Sequence, residues 1–230
     1  SFPTRRSSDL NNLCSQVTIV EKQKHLMAPM DDVMSVELEK ELRRKGIKVY
    51  CDATVTEILE EEGSLSCIIT PNDGSGPVKT RAGQILMAIG RRPDVSRLLG
   101  KDISLDMKDG KIAVDSDFET SEPGVYAIGD VAARTQLAHV AAAQGTYVVE
   151  KIAGRPHSIK LEVVPNGMFV SLPIVPNCIY TDPEIATVGI TEEIAKKYGL
   201  KVRCGHFSMR DNGKSIITGE EHGFIRLLFE

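Results

Sequence analysis

Short aliphatic and β-branched runs alternate with one clear helical periodicity in the first third of the chain. Val17-Thr18-Ile19-Val20 reads as a strand ending at Glu21. Residues 31–45 then predict an amphipathic helix. Asp31 and Asp32 open it, Arg43, Arg44 and Lys45 close it, and Gly46 stops it. Val33, Val36 and Leu42 are expected on its buried side. A strand is expected at 47–51, then two alternating strands at 54–59 and 65–70. They are divided by Glu60-Glu61-Glu62-Gly63 and followed by the dense turn signal of residues 71–77. Gln84-Ile85-Leu86-Met87-Ala88-Ile89 predicts a buried strand ending in Gly90-Arg91-Arg92-Pro93. There the proline blocks a helix and the glycine permits close backbone approach.

The second half repeats the alternation. Short strands are expected near Asp109-Gly110. Gly124-Val125-Tyr126-Ala127-Ile128-Gly129-Asp130-Val131 predicts a short buried strand over 125–128, stopped by a glycine and followed at once by an acid. An Ala-rich helix is expected from Leu137 to about Ala153, with Gly154 after its last turn. Residues 156–176 are proline-rich, and Val163-Val164-Pro165-Asn166 is echoed by Ile174-Val175-Pro176-Asn177, so a linker with a local duplication is expected. Strands at 178–180, 185–190, 202–209 and 224–229, with a helix capped by Thr191, make the last segment α+β.

Composition narrows the function classes. The chain has 230 residues and net charge −4 with both signs mixed, so no nucleic-acid-binding surface is implied. No apolar run is long enough to span a bilayer, and no secretory signal is visible. Cys14, Cys51, Cys67, Cys178 and Cys204 are isolated, without metal-site or dithiol spacing. Each is expected to be a small, mostly buried hydrophobe in a reducing compartment. Residues 1–10 carry no pattern that prepares the strand at 17–20. Residues 3–10 resemble the out-of-place translation of a sequencing-library adapter, so 1–10 are set apart as a scar on a truncated gene.

Strand, glycine, acid and helix is how an open α/β sheet brings chemistry to the carboxyl ends of its strands. Asp130 there can accept hydrogen bonds from sugar or sugar-alcohol hydroxyls, or it can close an Asx-turn; the stretch alone admits both. The helix start, Gln136, Leu137, Ala138 and His139, offers free N–H groups and a positive dipole end through its backbone. Glu21, at the tip of a strand, can bond ribose hydroxyls and repel a 2′-phosphate, which favours NAD over NADP; Lys22 and Lys24 weaken that preference.

Three stretches stand in one order: ILMAIGRRP at 85–93, GVYAIGDV at 124–131 with LAHVAAAQG at 137–145, and IYTDPEIATVGITE at 179–192. Together they resemble the pyridine nucleotide-disulfide oxidoreductases, and among them the dihydrolipoamide dehydrogenase group, from about Val17 to the end. The resemblance implies an α/β chain of partial NAD- and FAD-binding Rossmann-like domains followed by the start of an α+β dimerisation domain. Its parts would be a scar at 1–10, NAD-binding residues 11–92, FAD-binding residues 93–155, a linker at 156–176 and dimerisation residues 177–230. It implies FAD and NAD as cofactors. Glu21 would serve the adenosine ribose, Val55 the adenine, Gly90 the nicotinamide dinucleotide, and Asp130 the flavin ribityl chain. Gln136, Leu137, Ala138 and His139 would stand at the flavin edge; Gln136 departs from the apolar residue often found there.

The implied reaction passes electrons from dihydrolipoyl groups through an enzyme disulfide and the flavin to NAD. The implied partners are a lipoyl-bearing protein of a 2-oxoacid dehydrogenase or glycine cleavage complex and, in the full-length parent, a second copy. The expected compartment is the cytoplasm, with the mitochondrial matrix as the alternative. The family's redox disulfide, both glycine-rich turns and the C-terminal His–Glu pair have no counterpart here; His206 and His222 come too early. No catalytic residue is assigned, and the 230 residues alone are expected to bind FAD weakly or not at all and to show no turnover. A mercuric or glutathione reductase type, or a non-catalytic nucleotide- or partner-binding module, remain the alternatives.

Overall fold

A parallel strand pair joined across a helix organises the first part of the chain. The computed structural model describes residues 2–27, 30–95, 98, 100, 103–133, 135–159, 162–163, 170–171 and 175–229. Helix α1 (Phe2–Asn12), which includes most of the expected scar, precedes β1 (Thr18–Val20), and α2 (Asp32–Arg44) crosses over to β2 (Lys48–Tyr50). Strands β1 and β2 run parallel with Ile19 beside Val49. Helix α2 forms as its ends predict: the Asp31 side chain accepts from the Val33 N–H at 3.1 Å, and the acidic and basic turns complement the helix dipole. Its buried face is Ser35, Leu38, Glu41 and Leu42. Val33 and Val36, expected inside, are exposed at 42% and 53%. The 100° step per residue puts positions 35, 38 and 42 on one face, and 33 and 36 off it.

Strands β3 (Ala53–Glu61), β4 (Ser64–Pro71) and β5 (Val78–Ala82) form an antiparallel meander in that order. Ala53, Cys67 and Ile69 are buried there, with Val20, Tyr50, Val78 and Ile85 packed against them. The expected strand at 84–89 is absent. Only Ile85 packs, while Leu86, Met87 and Ile89 are 61%, 65% and 89% exposed. A buried parallel strand needs hydrogen-bonded neighbours and cover on both faces. Among the described residues β1 pairs only with β2, and nothing pairs with 84–89.

The chain divides into two units, Ser1–Ala88 with Pro176–Glu230, and Ile89–Val175. In the second, β6 (Met107–Lys108) and β7 (Lys111–Ile112) form a hairpin whose turn takes positive φ at both Asp109 and Gly110. Residues 125–128 run extended beside 118–120 and, among the described residues, make a single ladder bridge, Glu119 to Tyr126. The predicted buried strand is therefore not formed, and Val125 is exposed, because among the described residues the one partner for this segment is a short irregular stretch. Ala127 and Ala132 bury against Leu105 and Ile112. Helix α3 (Ala138–Ile152) comes next, ends on Ala153 and Gly154, and buries Val140, Ala143, Gln144 and Val148. Lys151 lies 2.5 Å from Asp117, and the Tyr147 hydroxyl donates to the same carboxylate at 2.9 Å. Within the expected linker, β8 (Glu162–Val163) pairs with β9 (Val170–Ser171). Most of the Val-Pro-Asn echo lies outside the described residues.

Back in the first unit, β10 (Asn177–Ile179) pairs with β11 (Ile185–Thr187), and α4 (Glu192–Lys197) starts on a Thr191 cap at 3.2 Å. Strand β12 (Arg203–Ser208), α5 (Gly213–Thr218) and β13 (Phe224–Phe229) complete the chain, with β12 and β13 antiparallel. Helix α5 was not anticipated; Asn212 caps it and Gly219, at φ 73°, ends it. Ile179 is buried in the core formed by Ile19, Leu38, Leu42, Ile47 and Val49, with Ile185 packed against it. Asp182 binds Asn12 at 3.0 Å and Lys45 at 2.5 Å. No helix among the described residues is long and apolar enough to cross a membrane.

Leu42→Ala is expected to lower stability by ~3 kcal/mol through an unfilled core volume, and Val36→Ala by less than ~0.5 kcal/mol, as read by denaturant unfolding. Lys151, then Tyr147, hold the Asp117 carboxyl below its ordinary range. The stability this contributes is fully present above the unfolded aspartate value of about 3.9 and is lost as pH falls through the lower folded value. In acid titration Asp117→Asn should flatten that part of the curve.

Candidate functional site

Asp130 is presented by a single tight turn fastened to α3. Ile128 enters in extended conformation at φ −131° and ψ 167°, and residues 129–131 then make one 3-10 turn. Gly129 takes φ 68°, and its N–H donates to Gln144 Oε1 at 2.8 Å. The Gln144 side chain is buried. A Cβ on Gly129 would stand 3.0 Å from Ala141 Cβ, so the glycine is needed for both conformation and closeness. The Gly129 carbonyl accepts from Ala132 and Ala133 N–H, and Lys111 donates to the Ala133 carbonyl.

The carboxylate on this turn is 45% exposed and lies 3.1 Å from the Arg91 guanidinium, itself 64% exposed. It is neither in the core nor closed into an Asx-turn. An exposed ion pair of this kind is weak and exchangeable. Gly90, just before Arg91, adopts φ 126°, a conformation open to glycine. Helix α3 begins at Leu137 without a side-chain cap, so its first-turn N–H groups, at Ala138 and His139, are offered outward. Gln136 and Leu137 are half-buried, and Ala138 and His139 are exposed. Gly90, Asp130 and residues 136–139 therefore all belong to one unit. A half-exposed carboxylate can accept hydrogen bonds from hydroxyl groups, and an uncapped helix start can offer N–H groups to an electron-rich edge.

Glu21 and Val55 belong to the other unit. Glu21 comes directly after β1; its N–H donates to the Tyr50 carbonyl at 2.8 Å, and its own carbonyl accepts from Ala53 at 3.1 Å. Its Oε1 accepts from the Gln23 N–H at 2.7 Å, which fixes the carboxylate at the carboxyl end of the parallel pair. Val55 lies on β3 beside a bulge and is 37% exposed. Cys51, one residue past β2, is pushed up to about 12 by burial and then by Glu39, so it stays a thiol.

The cysteines depart from expectation. Only Cys67 is buried and Cys51 is half-buried, while Cys14, Cys178 and Cys204 are exposed; all five are free. Among the described residues no group of His, Cys, Asp and Glu is arranged to hold a metal. His206 stacks on Phe224 at 5.2 Å, a packing role. Sequence reasoning missed Gln144 and Arg91 as partners of the Gly129-Asp130 turn. A lone amide on the Ala-rich helix and a guanidinium directly after Gly90 were the available signals.

A family model described as pyridine nucleotide-disulphide oxidoreductase matches residues 6–145, and one described as that family's dimerisation domain matches 175–230. Dihydrolipoyl dehydrogenase of Rhizobium etli is 33% identical over 214 residues, covering 93% of this chain and 42% of that protein. The Bacillus subtilis protein of that name is 32% identical over 223 residues, 96% of this chain and 45% of its own. The crystal structure of LpdA from Mycobacterium tuberculosis superposes with a TM-score of 0.81 at 23% identity, over 99% of this chain and 46% of that one. The HOCl-induced flavoprotein disulfide reductase RclA of Escherichia coli gives 0.78 at 19%, over 98% and 48%. These two superpositions speak to the fold. The chain spans less than half the length of each of these relatives.

The geometry at residue 129 is directly testable. Gly129→Ala and Gly124→Ala both place an alanine at positive φ, each at about 1 kcal/mol. Only position 129 adds a contact at 3.0 Å. Thermal melts should show Gly129→Ala the more destabilised by a further ~1 kcal/mol or more.

Proposed function

Because the chain belongs to the pyridine nucleotide-disulphide oxidoreductase family, we propose that it is a piece of an FAD-dependent oxidoreductase that oxidises dihydrolipoyl groups with NAD as acceptor. The observation that carries this reading is the identity of about a third to dihydrolipoyl dehydrogenases across more than nine-tenths of the chain. Proteins of the family bind FAD and NAD(P), and its dimerisation domain implies homodimers. The family's domains would divide this chain at 11–92, 93–155 and 177–230, with 156–176 as linker; the family match begins at residue 6, inside the stretch expected to be a scar. The lipoyl-bearing partner rests on the relatives' names.

The residues have separate tasks in this reading. Bound FAD would supply the transfer between a dithiol and a nicotinamide. Asp130 would accept hydrogen bonds from the ribityl hydroxyls in place of its exposed contact with Arg91. The uncapped start of α3, with Gln136, Leu137, Ala138 and His139, directs N–H groups at the edge where negative charge develops. Glu21 would accept from the adenosine ribose hydroxyls and disfavour a 2′-phosphate, and Val55 would lie beside the adenine. Gly90 lets the backbone approach the nicotinamide dinucleotide. None of these residues breaks or makes a bond, so no catalytic role is given to any of them.

The test begins with the gene. An in-frame upstream segment encoding a Cys-x4-Cys pair and a downstream His–Glu pair is expected. The complete product should then reduce NAD with dihydrolipoamide, and Glu21→Lys should shift preference toward NADP. NADPH-dependent reduction of glutathione disulfide or of mercuric ion, without dihydrolipoamide activity, would overturn the assignment.

A further inference from the structure

Arg226, on β13, touches three other segments of its own unit. Its Nη1 donates to both carboxylate oxygens of Asp31, each at 3.3 Å. Its Nη2 lies 2.7 Å from Glu192 Oε1, at the start of α4. Its Nε donates to Cys204 Sγ at 3.0 Å. The Arg226 and Asp31 side chains are only 15% and 17% exposed, although 195 positions separate them. Asp31 is also the cap of α2: Oδ1 accepts from the Val33 N–H, and its carbonyl accepts from Met34 at 2.9 Å. The loop that starts at Glu21 ends at this residue.

Most surface ion pairs contribute little, because water screens them and two long side chains must be ordered. Here one planar fork serves two carboxylates and a sulfur, with little exposure and fixed geometry. The same C-terminal segment already shares a core with α2 through Ile179 and Ile185. We propose that Arg226 is a positioning residue, a clamp on the α2 cap. It makes the order of the first turn of α2 depend on the docking of the segment that carries β10 to β13. It acts through Asp31, and it stands independently of the cofactor reading.

Amide hydrogen exchange on the intact 230-residue chain tests this. Asparagine caps helices about as well as aspartate, so Asp31→Asn removes the charge and keeps the cap. Arg226→Met should speed exchange at Val33 and Met34 about tenfold, the scale of one charge-assisted hydrogen bond. Ile68 and Ile69 on β4 should keep their protection. In the double variant the effect should be no larger than in Arg226→Met alone. Exchange at Val33 and Met34 within about twofold of the parent, or effects that multiply in the double variant, would overturn the clamp. Should Arg226→Met also lose protection on β4, Arg226→Lys carries the test, since lysine keeps the charge without the fork. Parent-like exchange at Val33 and Met34 in that variant would count against the proposal.

Discussion

The hydrogen bond from the Gly129 N–H to the buried Gln144 amide is the constraint on which the candidate cofactor site depends. It ties a one-residue change of chain direction to the face of α3. The absence of a Cβ at position 129 lets the turn lie this close: a side chain there would start 3.0 Å from Ala141 Cβ on the helix surface. The next residue must then leave the helix face, and it is an aspartate. A buried amide whose oxygen lost this donor would be left unpaired, so the helix and the turn specify each other. The outward carboxylate is a product of packing, and its exposure and weak pairing with Arg91 leave it available.

The other unit is held by different means. A parallel pair with its crossover helix supplies the apolar core, and the C-terminal segment adds Ile179 to that core. Charges then tie the same parts together: Asp182 to Asn12 and Lys45, and Arg226 to Asp31 and Glu192. Glu21 gets its orientation from local backbone bonds, being gripped by the ends of β2 and β3 and by Gln23. Membership of the family accounts for the presence of both a nucleotide-side element and a dimerisation segment in one chain.

Much of this was legible in residue patterns where local chemistry decides the outcome. The helix opening at Asp31-Asp32, the cap at Thr191, the stop at Gly154 and the short strands near Asp109-Gly110 are set within a few residues of themselves. The buried strands expected at 84–89 and 125–128 failed because strand formation depends on partners that no run of residues carries. Val33 and Val36 are apolar but stand off the face set by positions 35, 38 and 42, and their angle on the helix overrides their hydrophobicity. The contacts of Gln144 with Gly129 and of Arg226 with Asp31 span 15 and 195 positions, so the pairing depends on the fold and not on neighbours in the chain.

The most direct measurement is the flavin content of the complete gene product carrying Asp130→Ala, read from visible absorbance against protein concentration, with circular dichroism reporting the fold. The account predicts a folded protein that has lost most of its flavin. A folded variant that keeps a full complement of flavin would contradict it.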